Sequence, residues 1–420
     1  MKKRQLLLVS FIEPWSLASG VGAPSLYETL KGYVEAGWRV TFVTSEKRHL
    51  QGGGHEENID TGLPSIDVIR FRIPEIQRIV GTRLQAKLER VLLFRRGARR
   101  VIASLLKERR FDLVYAYEEA AVAAVSSVAK QPGFHTPTLH RFQGTILGAR
   151  YVDWLFCLRK YETWSALRAR ADLYVMTNDG TFGDRALKYW NRDVDDSNLM
   201  FVRNGIDKTF SHVSVARSAV LARYGLSTEG LYLLTVSRLT QWKRVDRALR
   251  AVATLTDKWP GLQLIICGDG EARESLEGLA ETLGLVGIVH FVGAQPRRQV
   301  AELINSCDIF LSLYDISNCG NPLFEAMLCG RPLVTLDNGT TGDVVKDGVN
   351  GRLLEVSDDD AEMDTRISAA IESLLGDQDQ RESIGSGASD WARQNLKSWQ
   401  ERMHDELKWV EAHIDNGHEA

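Results

Sequence analysis

Short apolar runs alternate along the chain with segments that have helical spacing. Glycine, proline, asparagine or aspartate bounds most of these runs, which is typical of buried β-strands joined by turns. Between the runs, positions 27–36 and 120–129 carry apolar or small residues on one helix face. The alternation predicts βαβ units around a parallel sheet, so the fold class is α/β. The strands predicted in the first half are LLLVSF, VTFVTS, DVIRF, DLVYAY, TPTLHRF and DLYVMT.

A second alternation begins after a polar stretch that follows residues 201–207. Its predicted strands are LYLLTVSRL, LQLIICGDG, GIVHFVG, IFLSLY, PLVTL and NGRLLEV. Two Rossmann-like, doubly wound domains are therefore predicted, with residues 1–207 in the first and 208–394 in the second. A tryptophan-rich helical pattern ends the chain, and we expect this helix, at about 395–415, to join the first domain. Ligands bind outside the carboxyl ends of the strands in such sheets, so two facing sheets predict an interdomain cleft.

Composition excludes several classes of protein. The chain has 420 residues, of which 44% are hydrophobic and 25% charged, as expected for a soluble protein with more than one core. No apolar run reaches the length of about 18 residues that a membrane-spanning helix needs. We interpret the apolar run near the start as a buried strand rather than a signal peptide, because no convincing cleavage site follows. Five cysteines without a CxxC pair indicate a reduced, cytoplasmic protein with neither disulfides nor a zinc site.

Charge is distributed unevenly, although the formal net charge is only −3 and gives no sign of nucleic-acid binding. The window 84–110 contains nine basic residues and two acidic ones, with apolar residues at helical spacing. Two interpretations stay open for this window. It is either a core-packing helix with a solvated cationic face, or a peripheral contact with an anionic membrane surface.

A glycine pair, Gly20 and Gly22, lies between the first predicted strand and the first predicted helix. Successive amides and a helix N-terminus favour phosphate there, although a tight structural turn explains the pattern equally well. The third glycine of the dinucleotide fingerprint is missing, which argues against a nicotinamide or flavin enzyme.

Two cations, Arg238 and Lys243, follow the first strand of the second half. At this spacing they can converge on one diphosphate, with the arginine as a fork and the lysine as a point charge. Ordinary surface charges are the alternative. Gly268 follows the next strand in another turn at a strand end. A turn of this composition often only redirects the chain, so the signal is weak by itself. Gly293 and Gln295 follow the third strand, in a loop whose backbone groups can read the edge of a base.

The stretch SNCGNPLFEAMLCGRP, residues 317–332, predicts a short helix between two turns. Gly320, Asn321, Pro322 and Leu323 begin this helix, because proline suits the first turn and the unpaired amides there attract an anion. Glu325 lies one turn further on and can accept two hydrogen bonds from vicinal hydroxyls, such as those of a ribose. Helix capping is the alternative role for this carboxylate.

In this order the motifs resemble the family 4 glycosyltransferases, which are retaining enzymes of the GT-B fold that use nucleotide-activated sugars. The matching segments are SGVGAPS, ADLYVMTNDGTFGD, FVRNGID, SRLTQWKRVDRAL, CGDGEARESLEGLAETLGL, VHFVGAQPR, GNPLFEAMLCGRPLV and DGVNGRLL. The resemblance implies a hexosyltransferase with a UDP- or GDP-linked donor and a saccharide, lipid-linked or small-molecule acceptor, in polysaccharide or glycolipid biosynthesis. It also implies work in the cytoplasm, with the inner face of the membrane as a candidate location.

The resemblance implies that Arg238 and Lys243 stabilise the leaving diphosphate, so that neither a metal nor a cofactor is expected. It implies that Glu325 holds the ribose of the donor. The residues that it assigns to the donor site as a whole are Gly20, Gly22, Gly268, Gly293, Gln295, Ser317, Gly320, Asn321, Pro322, Leu323 and Glu325.

Two positions depart from the family pattern. The family usually has a second glutamate eight residues before Glu325, and Ser317 occupies that position, which puts the sugar contacts in question. A histidine often ends the strand that enters the cleft, but the alignment places Gln143 there, with His140 three residues earlier.

Asn178 and Asp179, at another predicted strand end, are further candidates for contacts with the acceptor or the sugar, with turn capping as an equal alternative for Asp179. Two alternatives to a transferase stay open. One is a nucleotide-binding subunit or pseudoenzyme of a glycosyltransferase system, and the other is a GT-B nucleotide-sugar epimerase.

Overall fold

The chain folds into two compact units in the computed structural model. The first unit contains Met1–Asn178, Phe182–Gly205 and Trp399–Ala420, and the second contains Asp179–Thr181 and Ile206–Ser398. The division lies two residues before the predicted boundary at 207, and the returning segment begins at Trp399 rather than at about 395. The residues that the structure describes are 3–12, 24–46, 62–63, 65–73, 89–213 and 215–417.

The first unit is built on a parallel sheet of seven strands. These are β1 (Gln5–Ser10), β2 (Arg39–Ser45), β3 (Ile66–Phe71), β4 (Leu113–Tyr117), β5 (Thr138–Phe142), β6 (Leu173–Thr177) and β7 (Leu199–Val202). Their order in the sheet is β3-β2-β1-β4-β5-β6-β7, which is that of a doubly wound fold. The six predicted strands are confirmed. The sequence pattern missed β7, an edge strand in which only Leu199 is buried.

The second unit is built on a parallel sheet of six strands, all of them predicted. These are β8 (Leu231–Val236), β9 (Leu262–Cys267), β10 (Val289–Gly293), β11 (Ile309–Ser312), β12 (Leu333–Leu336) and β13 (Arg352–Leu354). Their order is β10-β9-β8-β11-β12-β13, so this sheet is also doubly wound. The two Rossmann-like sheets confirm the predicted α/β fold class.

Helices connect the strands of both sheets. In chain order they are α1 (Pro24–Glu35), α2 (Arg95–Glu108), α3 (Glu119–Ala129), α4 (Trp154–Arg159), α5 (Tyr161–Leu167), α6 (Gly183–Trp190), α7 (Arg217–Arg223), α8 (Val245–Ala253), α9 (Arg273–Thr282), α10 (Arg297–Ser306), α11 (Asn321–Leu328), α12 (Thr341–Val344), α13 (Asp360–Gly376), α14 (Gln378–Asn395) and α15 (Trp399–Gly417). Among the helices of the described ranges, none combines the length and the apolar content that crossing a bilayer requires.

Each sheet carries an apolar core on both of its faces. In β1, Leu7 and Val9 belong to the core that α2, α3 and α5 cover, whereas Leu6 and Leu8 belong to the core that α1 and α15 cover. Successive side chains of a strand point to opposite faces, so a strand buried on both sides reads as a continuous apolar run. This is why the strands of both halves stand out in the sequence.

The tryptophan-rich end of the chain forms two helices, because the pattern is interrupted at 396–398 between α14 and α15. Helix α15 packs closely against α1. A Cβ on Gly32 would lie 2.8 Å from Cγ of Met403, so this approach of the two helices requires a glycine. The last helix therefore packs within the first unit, which agrees with the division of the chain into units given above.

A buried cluster of charges also fastens α15 to the first sheet. Glu406 is fully buried and lies 3.5 Å from the equally buried guanidinium of Arg141, and it forms a hydrogen-bonded ion pair with Arg402. The hydroxyl of Tyr115 donates to Oε1 of Glu406 at 3.1 Å, and Arg141 donates to Oγ1 of Thr29 at 2.7 Å. Burial would raise the pKa of Glu406, but the two guanidinium groups hold this pKa below its usual value. The carboxylate is therefore charged and fully partnered.

Removing this carboxylate should loosen α15 selectively. Glu406→Ala leaves two guanidinium groups buried without their anion, so we expect a loss of about 3–5 kcal/mol in the unfolding free energy of the first unit. Asp415→Ala is the control in the same helix, because it breaks the exposed ion pair with Arg4, and its cost should stay below about 1 kcal/mol. Urea unfolding gives the free energies, and hydrogen exchange localises the change to α15. Similar small effects in both variants would contradict the anchoring role.

Candidate functional site

The order of strands in the second sheet reverses between β8 and β11, and the loops after these two strands meet at that point. The hydroxyl of Tyr314 donates to the carbonyl oxygen of Val236 at 3.0 Å. The amide of Asp315 donates to the carbonyl oxygen of Trp242, also at 3.0 Å. In doubly wound sheets, ligands bind outside the carboxyl ends of the strands at this switch point. The candidate site therefore lies around these two loops.

The loops after β8, β9 and β10 are tied together by backbone hydrogen bonds. The amide of Leu239 donates to Asp269 at 2.9 Å, and the amide of Gly268 donates to Gly293 at 2.9 Å. Gly268 has φ +141°, and a Cβ at this position would lie 1.8 Å from the carbonyl oxygen of Ser237. Only glycine fits there, because the two loops touch through their backbones. The motifs predicted from separate strands are thus brought to one edge of the sheet.

Lys243 lies at the centre of this edge. Its Nζ lies 3.6 Å from the ring centroid of Tyr314 and 4.0 Å from that of Trp242. Burial lowers the pKa of Lys243 to about 7; the carboxylate of Asp179 opposes the shift, and the charge of Arg238 adds to it. The side chain of Arg238 is exposed. The pair predicted for a diphosphate thus combines one exposed guanidinium with one partly buried ammonium.

The short segment Asp179–Thr181 packs on the loop that carries Ser317. The hydroxyl of Ser317 donates to the carbonyl oxygen of Asp179 at 2.6 Å. The amide of Thr340 donates to the carbonyl oxygen of Gly180 at 3.1 Å. A Cβ on Gly180 would lie only 2.2 Å from Oγ of Ser317. A glutamate at position 317 would therefore have to occupy space that this segment fills.

The carboxylate of Asp179 is held by its own turn. It accepts hydrogen bonds from the hydroxyl of Thr181 at 2.6 Å and from the amide of the same residue at 3.1 Å. Burial raises the pKa of Asp179 to about 6, and the hydrogen bonds from Thr181 and the charge of Lys243 limit this rise. Turn capping is thus present, and it leaves the carboxylate electrostatically coupled to Lys243.

Glu325 lies in α11 with only 8% of its surface exposed. Burial raises its pKa to about 7; the charge of Arg297 lowers this value, and that of Asp207 raises it. A carboxyl group with such a pKa is able both to donate and to accept hydrogen bonds near neutral pH.

The first turn of α11 presents part of the predicted anion site. Gly320, Asn321 and Pro322 are partly exposed there. The amide of Leu323, however, donates to the carbonyl oxygen of Gly320 at 3.1 Å, and the Leu323 side chain is buried. The amide of Leu323 is thus engaged within the first turn of the helix, and its contact with a ligand stays a prediction.

Asn318 organises the loop after β11, and the sequence reasoning missed it. This fully buried side chain accepts hydrogen bonds from the hydroxyl of Ser312 at 2.8 Å and from the amide of Tyr314 at 3.0 Å. Its Nδ2 donates to Asn338 at 2.9 Å, in the loop after β12. No local pattern distinguishes such an asparagine from one in an ordinary turn.

Gln295 is engaged by its own loop. Its side chain accepts a hydrogen bond from the hydroxyl of Tyr224 at 3.3 Å and donates to the carbonyl oxygen of Val292. Contact with a base would therefore fall to the backbone of this loop. The glycine pair Gly20 and Gly22 lies outside the described residues, so its phosphate-binding role stays a prediction.

Two of the residues predicted for the acceptor side belong to the first unit and lie at the carboxyl edge of its sheet. The side-chain amide of Gln143 lies 2.7 Å from the hydroxyl of Tyr117 and 3.1 Å from the amide of Asn204. Asn178 is partly exposed, and its backbone amide donates to Val202 at 2.8 Å. Both side chains thus lie at strand ends, where a ligand can reach them.

His140 is different, because its ring is fully buried inside β5 and packs edge-on against Tyr174. Burial lowers its pKa to about 3, so the imidazole is neutral at every ordinary pH. The structure corrects the prediction of a ligand contact for His140. The alternation of the strand turns this side chain into the core rather than toward the edge of the sheet.

Glu118 is a second residue that sequence reasoning missed. It ends β4 at the point where the strand order of the first sheet reverses, and its backbone has φ +69° and ψ 172°. Non-glycine residues in this region carry strain of about 1–3 kcal/mol, and such strain is concentrated at functional sites. The amide of Glu118 donates to the carbonyl oxygen of Arg141 at 2.9 Å, which fixes this conformation. A glutamate after a strand gives no signal of it in the sequence.

Residues 218–391 match the family model for glycosyl transferases group 1. This range contains all six strands of the second sheet, together with Arg238, Lys243 and Glu325. The second unit is thus similar to that family over its whole sheet.

Individual relatives carry names of the same class. One relative is a GDP-mannose-dependent alpha-(1-6)-phosphatidylinositol monomannoside mannosyltransferase of Mycolicibacterium smegmatis. The chain is 29% identical to it over 194 residues, and the aligned region covers 44% of this chain and 48% of that protein. It is 30% identical over 180 residues to a D-inositol 3-phosphate glycosyltransferase of Thermomonospora curvata, with 41% of each chain covered. The chain thus spans less than half the length of these relatives.

Solved structures match over nearly the whole chain. Sucrose-phosphate synthase from Thermosynechococcus elongatus has a TM-score of 0.73 at 18% identity, covering 99% of this chain and 100% of that one. Anabaena HepE in complex with UDP-glucose has a TM-score of 0.71 at 19% identity, covering 96% and 99%. At these identities the likeness shows the fold, and it confirms the predicted GT-B class.

The strain at Glu118 can be measured by comparing two substitutions. Glu118→Ala removes the side chain and keeps the strain, whereas Glu118→Gly removes both. We expect the glycine variant to be more stable than the alanine variant by about 1 kcal/mol in urea unfolding, because relief of strain exceeds the entropic cost of glycine. An alanine variant as stable as the glycine variant would show that the backbone is relaxed there.

The buried Glu325 carboxyl should make stability depend on pH. Its folded pKa of about 7 lies above its ordinary value of 4.5, so its stabilising contribution is complete below pH 4.5 and is lost as the pH rises through 7. Glu325→Gln should therefore stabilise the unliganded protein at pH 8 by about 1–3 kcal/mol, with a smaller gain at pH 5.

Urea unfolding at the two pH values measures this gain. Glu302→Gln is the matched control, because Glu302 is also buried but is paired with Arg223 and Arg298. This control should lose stability at pH 8. Equal losses in both variants would show that Glu325 is likewise satisfied by a partner.

Proposed function

We propose that this protein is a hexosyltransferase that moves a sugar from a UDP- or GDP-linked donor to a saccharide, lipid-linked or small-molecule acceptor, in polysaccharide or glycolipid biosynthesis. The observation that carries the proposal is that Arg238 and Lys243 follow β8, and α11 with Glu325 follows β11, the two strands between which the order of the second sheet reverses. The family match over the same residues supports it, as do the names of the relatives.

Arg238 and Lys243 bind the diphosphate of the donor in this proposal. The exposed guanidinium of Arg238 forms a fork for two phosphate oxygens, and the ammonium of Lys243 approaches as a point charge from beside Tyr314. Because the pKa of Lys243 is about 7 in the unliganded protein, an arriving diphosphate favours the protonated form. Two protein cations then supply the charge that neutralises the leaving group, and the proposal includes no metal.

The nucleoside and the phosphates are held from α11. Glu325 accepts hydrogen bonds from the ribose hydroxyls, and the start of the helix at Gly320 and Asn321 faces the phosphates or the sugar hydroxyls. The turns at Gly268 and Gly293 complete the wall of the site, with the base beside the loop that contains Gln295.

We propose that the configuration of the transferred sugar is retained, and the chemistry of the nearby side chains supports this. Gln143 can hydrogen-bond a hydroxyl but cannot take its proton, and Asp179 is tied to Thr181. We assign the proton to the leaving group. The bond from the anomeric carbon to the phosphate oxygen breaks, the bond to the acceptor oxygen forms on the same face, and the acceptor's proton passes to the departing phosphate oxygen.

Ser317 changes how the transferred sugar is held. Its hydroxyl is engaged by the Asp179 carbonyl oxygen, so it offers no carboxylate to the sugar. We assign that contact to Asp179, whose carboxylate is the acidic group coupled to Lys243. Asn178, which precedes it, is assigned to the acceptor together with Gln143.

The proposal places the enzyme in the cytoplasm at the inner face of the membrane. Helix α2 buries Ala98, Ile102 and Leu105 in the core. The exposed side of the helix carries Arg95, Arg96, Arg99, Arg100 and Lys107. Such a cationic face is attracted to anionic lipids.

A panel of nucleotide sugars distinguishes the transferase from its alternatives. A true donor at 100 times its dissociation constant should stabilise the protein by about 2.7 kcal/mol. Release of free nucleotide supports transfer, and inversion of a sugar that stays attached supports an epimerase. Binding without either reaction supports a nucleotide-binding subunit.

The diphosphate site makes a prediction about pH. Arg238→Ala and Lys243→Ala should each lower turnover about 100-fold or more, because a lost cation exposes the charge of the leaving group. In the unsubstituted protein, donor affinity should fall between pH 6.5 and 8.5 by at most about tenfold per pH unit, because Lys243 must be protonated to bind.

Lys243→Arg is the control for this effect, because a guanidinium stays charged throughout and should remove the decline. Calorimetric titration with the donor identified in the panel measures both curves. Parallel curves for the two proteins, or unchanged turnover in both alanine variants, would remove Lys243 and Arg238 from the diphosphate site.

A further inference from the structure

The first unit displays an unusual concentration of apolar surface on residues 146–161. The described part of the chain exposes thirteen large hydrophobic side chains, and six of these lie in this segment. We call these six side chains the apolar patch. Trp154 is the most exposed of the six, with 63% of its surface accessible. Clustered apolar surface of this kind marks sites of interaction, whereas single exposed side chains do not. The six are Ile146, Val152, Trp154, Leu155, Leu158 and Tyr161.

Helix α4 turns this apolar surface outward. Trp154, Leu155 and Leu158 share one face by helical spacing, and Cys157 on the opposite face is fully buried. The helix begins at Asp153, whose carboxylate accepts a hydrogen bond from the amide of Phe156 at 3.0 Å. The orientation is therefore fixed by the core, and the outward apolar face is not needed for packing.

Basic residues surround the apolar patch. Residues 146–170 contain five basic side chains and two acidic ones, for a net charge of +3, and Arg170 is also paired with Asp193 from outside this segment at 2.6 Å. Asp153 is paired with Arg150 at 2.7 Å, and the guanidinium of Arg150 lies 4.1 Å from the ring centroid of Phe156. Long cationic side chains that rest on aromatic rings can keep their charges at the level of lipid phosphates. The five basic residues are Arg150, Arg159, Lys160, Arg168 and Arg170.

The apolar patch lies on the same side of the first sheet as the basic helix α2. Ala98 of α2, Val125 of α3 and Leu167 of α5 belong to one core, and Cys157 of α4 belongs to it as well. A surface that approached α4 on this side would therefore also approach the layer that contains α2.

We infer that the apolar patch inserts into the interface of an anionic lipid bilayer. Trp154, Leu155 and Leu158 enter below the headgroups, and Arg159 and Lys160 contact the lipid phosphates. Tryptophan, tyrosine and flanking basic residues are the composition that membrane interfaces select. A second copy of this chain suits the surface less well, since it would bring two net positive patches together. The inference rests on the membrane location in the proposed function and assigns a contact surface to it, although lipid binding itself requires no catalytic activity.

The five native cysteines are all buried, so one introduced thiol can carry a label. Leu155→Cys takes an environment-sensitive fluorophore in the apolar patch, and Val286→Cys, an exposed position of the second unit, is the matched control. With vesicles of phosphatidylcholine containing about 30% phosphatidylglycerol, the label at 155 should shift to shorter wavelength. The label at 286 should not shift, and pure phosphatidylcholine should give a much weaker response at 155.

Loss of the apolar side chains tests the same surface without a label. Trp154→Ser combined with Leu158→Ser should lower partition to the anionic vesicles at least about tenfold. Val286→Ser combined with Val349→Ser should leave partition unchanged, because these exposed valines lie in the second unit. Arg99→Gln combined with Arg100→Gln in α2 should weaken partition while the label at 155 still shifts at saturating lipid.

Three results would overturn the inference. One is the absence of a shift at 155 with anionic vesicles, and another is an equal shift at 286. The third is a lipid-free dimer that the Trp154 and Leu158 substitutions dissociate, because this would identify a second copy as the occupant. Far-UV circular dichroism of each variant shows whether it is folded. Release of nucleotide from a soluble donor is read separately, so failure of the proposed function and failure of lipid binding are distinguishable.

Discussion

The hydrogen bond from the hydroxyl of Tyr314 to the carbonyl oxygen of Val236 joins the two loops on which the candidate site depends. It closes the gap at which the strand order reverses, and it places the tyrosine ring beneath Lys243. On one side Gly268 lets the next loop approach, and on the other Asn318 fixes the start of α11. Hydrogen bonds thus hold the loops after β8, β9, β10 and β11 in place. A ligand that bound at this edge would find these loops already positioned, so its binding would need little reorganisation.

Most of the fold could be predicted from the sequence, because strands buried on both faces read as continuous apolar runs. β7 was not predicted, because an edge strand with only one buried side chain has no continuous apolar run. The order of the motifs identified the strand ends that would carry Arg238, Lys243 and Glu325. The roles of single residues were less accessible. The burial of His140 follows from strand alternation and register, and the strain at Glu118 follows from tertiary hydrogen bonding, so neither is written in a local pattern.

The contact between Ser317 and the segment Asp179–Thr181 gives the departure at position 317 a local structural context. Gly180 approaches Oγ of Ser317 so closely that neither position has room for a larger side chain in this arrangement. The serine hydroxyl also donates to the carbonyl oxygen of Asp179, so its replacement would leave the segment with the hydrogen bond from the amide of Thr340 to Gly180 but without this one. Serine at 317 is thus packed tightly against this segment, and the carboxylate that interacts electrostatically with Lys243 is that of Asp179.

The three titratable groups of the site share one electrostatic property. Burial moves the pKa of Lys243 down to about 7, that of Glu325 up to about 7 and that of Asp179 up to about 6. Each pKa therefore lies closer to physiological pH than the ordinary value of its group, because burial disfavours the charged form while the site is unliganded. A diphosphate would reverse this for Lys243, because an adjacent anion favours the ammonium. Protonation of Lys243 would then be coupled to binding, because a nearby anion raises the charged fraction of this side chain.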